Sequence, residues 1–311
     1  DERDAHAVQP VVQQPREQED VESEERGGRR EPEEPAPRRF AAEQHREHAE
    51  VQVEVEDETE PGDAVQDERA VAERAVAGVE PRTWAVDALA EDRSLRGALL
   101  GALRAPIDSP PLRDLVKPGQ RVAISVCDIT RPQPRPQMLR AIFEELAFVD
   151  PRDVTVLIAT GTHRTNTPAE LERMLGADIA ARYRVVNHDA RNAASLDRVG
   201  RTGTGVEILL NREFLQADVR ITTGFVEPHF FAGFSGGPKL VAPGLAGIDT
   251  VLTLHDAYRI GHPSATWGIT QGNPIHDDVR EIARMVGVHF ALDVTLNRDQ
   301  QITAAFGGAL L

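Results

Sequence analysis

Between residues 227 and 239 the chain reads Glu227-Pro228-His229-Phe230-Phe231-Ala232-Gly233-Phe234-Ser235-Gly236-Gly237-Pro238-Lys239. A histidine, three glycines and a lysine stand there among aromatic residues. Lys239 is one of two lysines in the chain, with Lys117, and the other cationic side chains are arginines. A glycine-rich turn lets a ligand approach the backbone closely, and aromatic walls around it exclude water. Related residue types recur elsewhere: Asp128 and Arg131 in Asp128-Ile129-Thr130-Arg131-Pro132, His163 in Gly161-Thr162-His163-Arg164, and His255 sixteen residues past Lys239. Two neutral histidines on opposite sides of a substrate serve as general base and general acid near neutral pH. That is the equipment needed to remove and return a hydrogen on both faces of one carbon. A third histidine can ligate a metal, and the Gly236-Gly237 turn can cradle a phosphate through backbone N–H groups. The turn is not a Walker A loop, because Pro238 precedes the lysine and Leu240 replaces the required Ser or Thr. No HExxH and no CxxC pair occurs, so zinc-protease and zinc-ribbon readings have no support. A metal-dependent hydrolase with His163, His229 and His255 as ligands stays open. His188, His262, His276 and His289 read as structural or exposed.

These residues need a scaffold that brings them together. Val122–Cys127 predicts a buried strand after the turn Lys117-Pro118-Gly119, and Val154–Ala159 predicts a second. The apolar spacing from Pro136 to Leu146 is helical. Thr167-Pro168-Ala169-Glu170 is a capping box with proline at the first helical position, opening a helix to Leu175. Further strands are expected at Val185–Asn187, Val206–Leu209, Val219–Thr223, Val288–Leu296 and Gln301–Phe306. Helices are expected near Asp249–Tyr258 and Asp277–Val286. Alternating elements with continuously apolar strands predict an α/β fold, a mostly parallel sheet with helices on both faces. In such sheets ligands bind beyond the carboxyl ends of the strands, where the Asp128, His163 and His229 clusters fall.

Charge divides the chain. Residues 1–80 hold 25 acidic against 10 basic side chains, and residues 81–311 hold 26 against 25. The first segment, with Phe40 its single aromatic, has too little apolar surface to offset chain entropy and reads as a disordered acidic segment. A short alternation at 51–56 could form an isolated strand. Residues 81–311 read as the globular domain, and their near-neutral balance leaves no footprint for nucleic acid or an anionic membrane. No apolar run approaches the roughly 18 residues of a membrane span, and the charged N-terminus lacks a signal-peptide core. The single Cys127 cannot form an internal disulfide, which matches a cytoplasmic location.

At the five motifs Asp128–Pro132, Gly161–Arg164, Glu227–His229, Ser235–Lys239 and Leu254-His255-Asp256, the chain resembles the nickel-dependent lactate racemase family. Order and separations both fit; the likeness runs from about residue 80 to 311 and is most specific between 121 and 260. The resemblance implies an isomerase that racemises or epimerises small 2-hydroxy acids by hydride transfer. It implies a nickel-pincer nucleotide, a pyridinium mononucleotide carried on Lys239 through a thioamide, with His255 as the protein ligand to nickel. It makes His163 and His229 the alternating acid and base, and places Asp128, Arg131, Gly236 and Gly237 around the cofactor. Nickel(II) favours square-planar coordination, so a planar three-donor cofactor leaves one position for an imidazole. The partners implied are the 2-hydroxy acid and the enzymes that build the cofactor. The family also has a C-terminal domain that closes the cleft and that this chain does not extend into. The expectation is therefore a truncated chain, the cofactor-binding half of the enzyme, with a non-catalytic nucleotide- and nickel-binding fragment as the alternative.

Overall fold

The computed structural model describes residues 93–311. The expected disordered segment and the strand at 51–56 lie outside those residues. The chain enters through helix α1 (Arg93–Arg104) and a short turn of helix, α2 (Leu112–Leu115). Strand β1 (Val122–Cys127) then runs buried along its whole length, followed by α3 (Arg135–Glu145) and β2 (Val154–Ala159). Helices α4 (Pro168–Leu175) and α5 (Ala177–Arg182) lead to β3 (Arg184–Asn187). The expected capping box is present at α4, Thr167 accepting from the Glu170 amide and Glu170 from the Thr167 amide.

An antiparallel pair, β4 (Leu196–Arg201) and β5 (Glu207–Asn211), stands apart from the main sheet and precedes α6 (Arg212–Gln216) and β6 (Val219–Phe225). The strand expected at Val206–Leu209 is thus real but belongs to this hairpin. Its partner Leu196–Arg201 has neither buried residues nor a run of apolar ones, and its sequence carries little strand signal. A two-residue hairpin, β7 (Pro228–His229) and β8 (Gly233–Phe234), folds the aromatic stretch back on itself. The helix expected at Asp249–Tyr258 is two helices, α7 (Ile248–Leu254) and α8 (Ala257–Ile260), broken at His255 and Asp256. The chain continues through α9 (Pro274–Val286), β9 (Phe290–Leu296) and β10 (Ile302–Gly308).

The main sheet has the order β10-β9-β6-β1-β2-β3, parallel except for β10. Val122 lies opposite both Val154 and Val219, so the three central strands start and end together. One core packs Leu99, Leu103, Met138, Leu139 and Ile142 against Ile124, Val126, Val156 and Ile221. A second core on the other face packs Phe214, Val241, Leu245, Val251, Leu254 and Ile282 against Ala123 and Leu157. Burying one such aliphatic side chain contributes about 1.5–3 kcal/mol, so coverage on both faces is what holds the parallel sheet. Among the described residues no helix is long and apolar enough to cross a membrane.

Phe214 is fully buried at the start of the segment feeding β6. Phe214→Ala should lower the unfolding free energy by about 3–5 kcal/mol, measured by urea denaturation. A loss under about 1 kcal/mol would mean that the second core collapses freely around the vacated space.

Candidate active site

The first loop of the site follows β1 and is built on a buried arginine. The Arg135 guanidinium donates to the carbonyls of Cys127 (2.7 Å), Gln133 (3.1 Å), Arg131 (2.7 Å) and Asp128. It satisfies four carbonyls of one tight loop at once, and burial lowers its pKa. Gln133 locks the loop to the sheet, accepting from the Cys127 amide (2.7 Å) and donating to Thr223 of β6 (2.8 Å). So held, the loop presents Asp128 and Arg131 at the carboxyl end of β1.

Asp128 is buried, and its Oδ2 lies 2.7 Å from His163 Nδ1 on the loop after β2. Its Oδ1 accepts from the Thr130 hydroxyl at 2.7 Å. A carboxylate offers only acceptors, so neutral His163 carries its proton on Nδ1, which makes Nε2 the acceptor. Gly161, at φ +55°, makes the turn that brings His163 round, and its amide donates to Gly244 (2.9 Å).

His229 has the opposite arrangement. Its Nδ1 accepts from the amides of Ala232 (3.2 Å) and Phe231 (3.4 Å) in the small hairpin. Backbone amides can only donate, so the proton of neutral His229 sits on Nε2. Burial, then Lys239, Arg131 and His255, push its pKa down to about 4, so it is neutral near pH 7.

His255 closes the α7 helix as its C-cap, and its Nδ1 donates to the Val251 carbonyl at 2.7 Å. That leaves Nε2 unprotonated, the form a metal requires. Asp256 does not orient this ring. It caps α8 through the Arg259 amide (2.8 Å) and pairs with the Arg259 guanidinium (2.6 Å), which also grips Asp278 (2.8 Å).

Lys239 sits in a short 3-10 turn, Gly237–Leu240, whose Leu240 carbonyl accepts from Ser125 of β1 at 2.8 Å. Its amine stands 5.9 Å from the centre of the Phe231 ring. Among the described residues it forms no ion pair, and burial together with Arg131 pushes its pKa down to about 8. The Phe231 ring also meets His229 (4.5 Å) and His255 (5.2 Å) edge-on. One buried ring thus spaces three reactive groups. The aromatic cluster is less uniformly dry than its sequence suggests: Phe225 and Phe231 are buried, whereas Phe230 is 58% exposed.

Asp128, Arg131, His163, His229, Lys239 and His255 all line one cavity of about 450 Å³, and Gly236 lines it too. That volume is in the range of small-molecule sites. Gly237 is not on the wall. Its amide turns away and donates to Asp293 (3.2 Å), while the Ser235 and Lys239 amides are used by Glu227 (2.9 Å) and Gly236 (3.1 Å). A phosphate cradle made of several amides of this turn is therefore not formed. Among the described residues no three His, Cys, Asp or Glu side chains are grouped to hold a metal, so the hydrolase reading has no ligand set. The four histidines read as structural or exposed lie off the cavity wall. Fully buried His188, for one, is engaged by Ala246 (2.9 Å) and Asn211 (3.3 Å).

Two polar residues that shape the site were missed from sequence, Arg135 and Asp293. Each carried a signal: an arginine in the first turn of a helix, where the dipole disfavours it, and a lone carboxylate in the apolar strand Phe290–Leu296.

A doubly covered parallel α/β sheet gathers three histidines and a lysine at one carboxyl edge, and comparison with known proteins narrows the class. Residues 74–268 match the family model described as "Lactate racemase N-terminal domain", and the chain belongs to that family. It is 35% identical over 208 residues to the lactate racemases of Thermoanaerobacterium thermosaccharolyticum and Lactiplantibacillus plantarum, a stretch covering 67% of this chain and 49% of each relative. The chain thus spans about half the length of the curated relatives it matches. The solved lactate racemase apoprotein from T. thermosaccharolyticum superposes with a TM-score of 0.65 at 34% identity, over 70% of this chain and 52% of that one. A crystal structure of a Thermotoga maritima protein, 24% identical with a TM-score of 0.56, over 68% of this chain and 53% of that one, shares the fold.

Asp293 gives the site a pH signature. Burial pushes its pKa up from 3.8 to about 6, against the Gly237 amide, which lowers it. Between those values the folded chain binds a proton that the unfolded chain has released. The stability this carboxyl contributes is full below pH 4 or so and is lost as pH rises through about 6. Asp293→Asn cannot ionise, so its stability relative to wild type should climb from pH 4 to pH 6 and then level off. Urea midpoints across that window read the effect. A difference that does not vary with pH would show that Asp293 ionises as it would in water.

Proposed function

We propose that this chain is the cofactor-binding part of an isomerase that racemises or epimerises lactate-type 2-hydroxy acids. The domain is placed at residues 81–311, after the acidic segment. The observation that carries the reading is the convergence of His163, His229, His255 and Lys239 on one cavity, with the three imidazoles held in three different hydrogen-bonding frames.

The residues suit a nickel-pincer nucleotide on chemical grounds. Lys239 offers an amine whose lowered pKa leaves a neutral fraction at moderate pH, which acyl attachment needs. His255 offers one imidazole nitrogen toward the cavity, and among the described residues no other protein donors gather around it into a three-ligand metal site. That is the complement of a group that brings its own remaining donors. When bound, this group would supply hydride exchange at the substrate's C2 carbon.

The chain's own residues then manage the substrate and its proton. Arg131, exposed at the cavity wall and without an ion-pair partner among the described residues, is suited to the carboxylate of the hydroxy acid. His163 Nε2 takes the hydroxyl proton, and the resulting imidazolium is stabilised by the Asp128 carboxylate at Nδ1. His229 stays neutral and donates its Nε2–H to the substrate oxygen. For the other enantiomer His229 must itself accept, which requires its Nε2 proton to leave and its Nδ1 to turn away from the Phe231 and Ala232 amides. Phe231 keeps water from the space between them.

A second reading is a part that holds nucleotide and nickel without turnover of its own. The two are separated by one preparation. Produced together with cofactor-building enzymes, the chain should gain a nucleotide-sized mass on Lys239 by intact-mass spectrometry, and Lys239→Ala should abolish it. A folded wild-type chain without the adduct would contradict both readings. An adduct without lactate racemisation would favour the second. Where turnover is seen, His163→Ala and His229→Ala should each lower it by roughly 10²-fold or more in both directions while the adduct and nickel remain.

A further inference from the structure

The turn that carries Lys239 rests on a carboxylate that the chemistry above does not use. Asp293 stands on β9 opposite Gly224 of β6, at the same sheet edge as the cavity. Its Oδ1 accepts from the Gly237 amide at 3.2 Å. Three glycines close around the group. A Cβ on Gly224 would lie 2.6 Å from Oδ1, one on Gly236 3.3 Å from Oδ1, and one on Gly237 3.4 Å from Oδ2. Gly236 and Gly237 also hold φ of +83° and +41°, which glycine adopts without strain. Among the described residues no cation pairs with Asp293. It is surrounded by protein with a little of its surface reaching solvent. A lone carboxylate so enclosed is costly unless its acceptors are used.

We infer that Asp293 is the positioning residue of the Lys239 turn: by accepting the Gly237 amide it fixes a turn whose next bond, Lys239 N–H to Gly236 carbonyl at 3.1 Å, sets the amine over Phe231. Its role is that of an acceptor: the contact it makes is with a backbone amide, and among the described residues no cation pairs with it. Gly224 is the glycine the carboxylate requires most directly, whereas a Cβ on Gly236 or Gly237 would also meet the Phe225 carbonyl (3.0 Å) or Leu310 (3.1 Å) respectively. This deepens the reading of Lys239 as the attachment residue and takes its functional meaning from that reading, but its test needs no cofactor.

Lys239 and Lys117 are the two lysines of the chain, so competitive acetylation with trace acetic anhydride over a pH series, followed by peptide mass spectrometry, reads each amine separately. In the wild-type chain Lys239 should titrate near its value of about 8. Asp293→Asn keeps the acceptor and should hold that midpoint. Asp293→Ala should raise it by about one pH unit or more toward the ordinary lysine value, as the amine leaves its buried place. Gly224→Ala, which drives a methyl into Oδ1, should do the same. A folded Asp293→Ala with the wild-type midpoint, or an Asp293→Asn that shifts as far as the alanine variant, would overturn the inference. If the alanine variant does not fold, Gly224→Ala with an unmoved midpoint overturns it instead. Loss of the nucleotide adduct with these shifts intact would defeat the cofactor reading and leave this one standing.

Discussion

The register of three parallel strands is the constraint on which the rest of the molecule depends. Strands β6, β1 and β2 lie side by side with Val219, Val122 and Val154 aligned. Their carboxyl ends therefore release three loops at one edge, although those loops are tens of residues apart in sequence. A shift of one residue in any strand would turn its side chains to the opposite face and carry a site residue away from the cavity. Gln133 and Ser125 tie the loops back to this edge, one through Thr223 and the other through the Leu240 carbonyl.

On that edge, the contacts made by the back of each ring decide what its front can do. A carboxylate, two amides and a carbonyl stand behind His163, His229 and His255 respectively. They give an acceptor, a donor and a bare ligand nitrogen without any change of residue type. Arg131 adds to burial in lowering the pKa of both Lys239 and His229, while Asp128 and Glu227 balance the charge of the wall. Burial and the neighbouring cations keep a second proton off His229. Phe231 adds the spacing, since its buried ring stands between three of the groups and holds them apart.

Much of this was legible in sequence because it rests on local signals. The central strands read as unbroken apolar runs, and Thr167 with Glu170 announced a helix start that the structure reproduces. The motifs that gather at the cavity could be recognised residue by residue. What stayed hidden depends on contacts between distant segments. Leu196–Arg201 is a strand because of its partner Glu207–Asn211, not because of its own composition. The break at His255 is set by the Asp256 cap and the Arg259–Asp278 pair, which no periodicity encodes. Asp128 lines the cavity, and its 2.7 Å contact with His163 joins two loops that only the fold brings together.

The central claim is that two histidines face one cavity in opposite tautomers. Long-range nitrogen-proton correlation spectra of the ¹⁵N-histidine-labelled chain at pH 7 test it directly, with His163→Gln and His229→Gln used for assignment. In its neutral form His163 should carry its proton on Nδ1, and His229 should carry its own on Nε2. On acidification His229 should stay neutral until the pH nears its value of about 4. Finding the same tautomer on both rings, or His229 as an imidazolium at pH 7, would contradict the account.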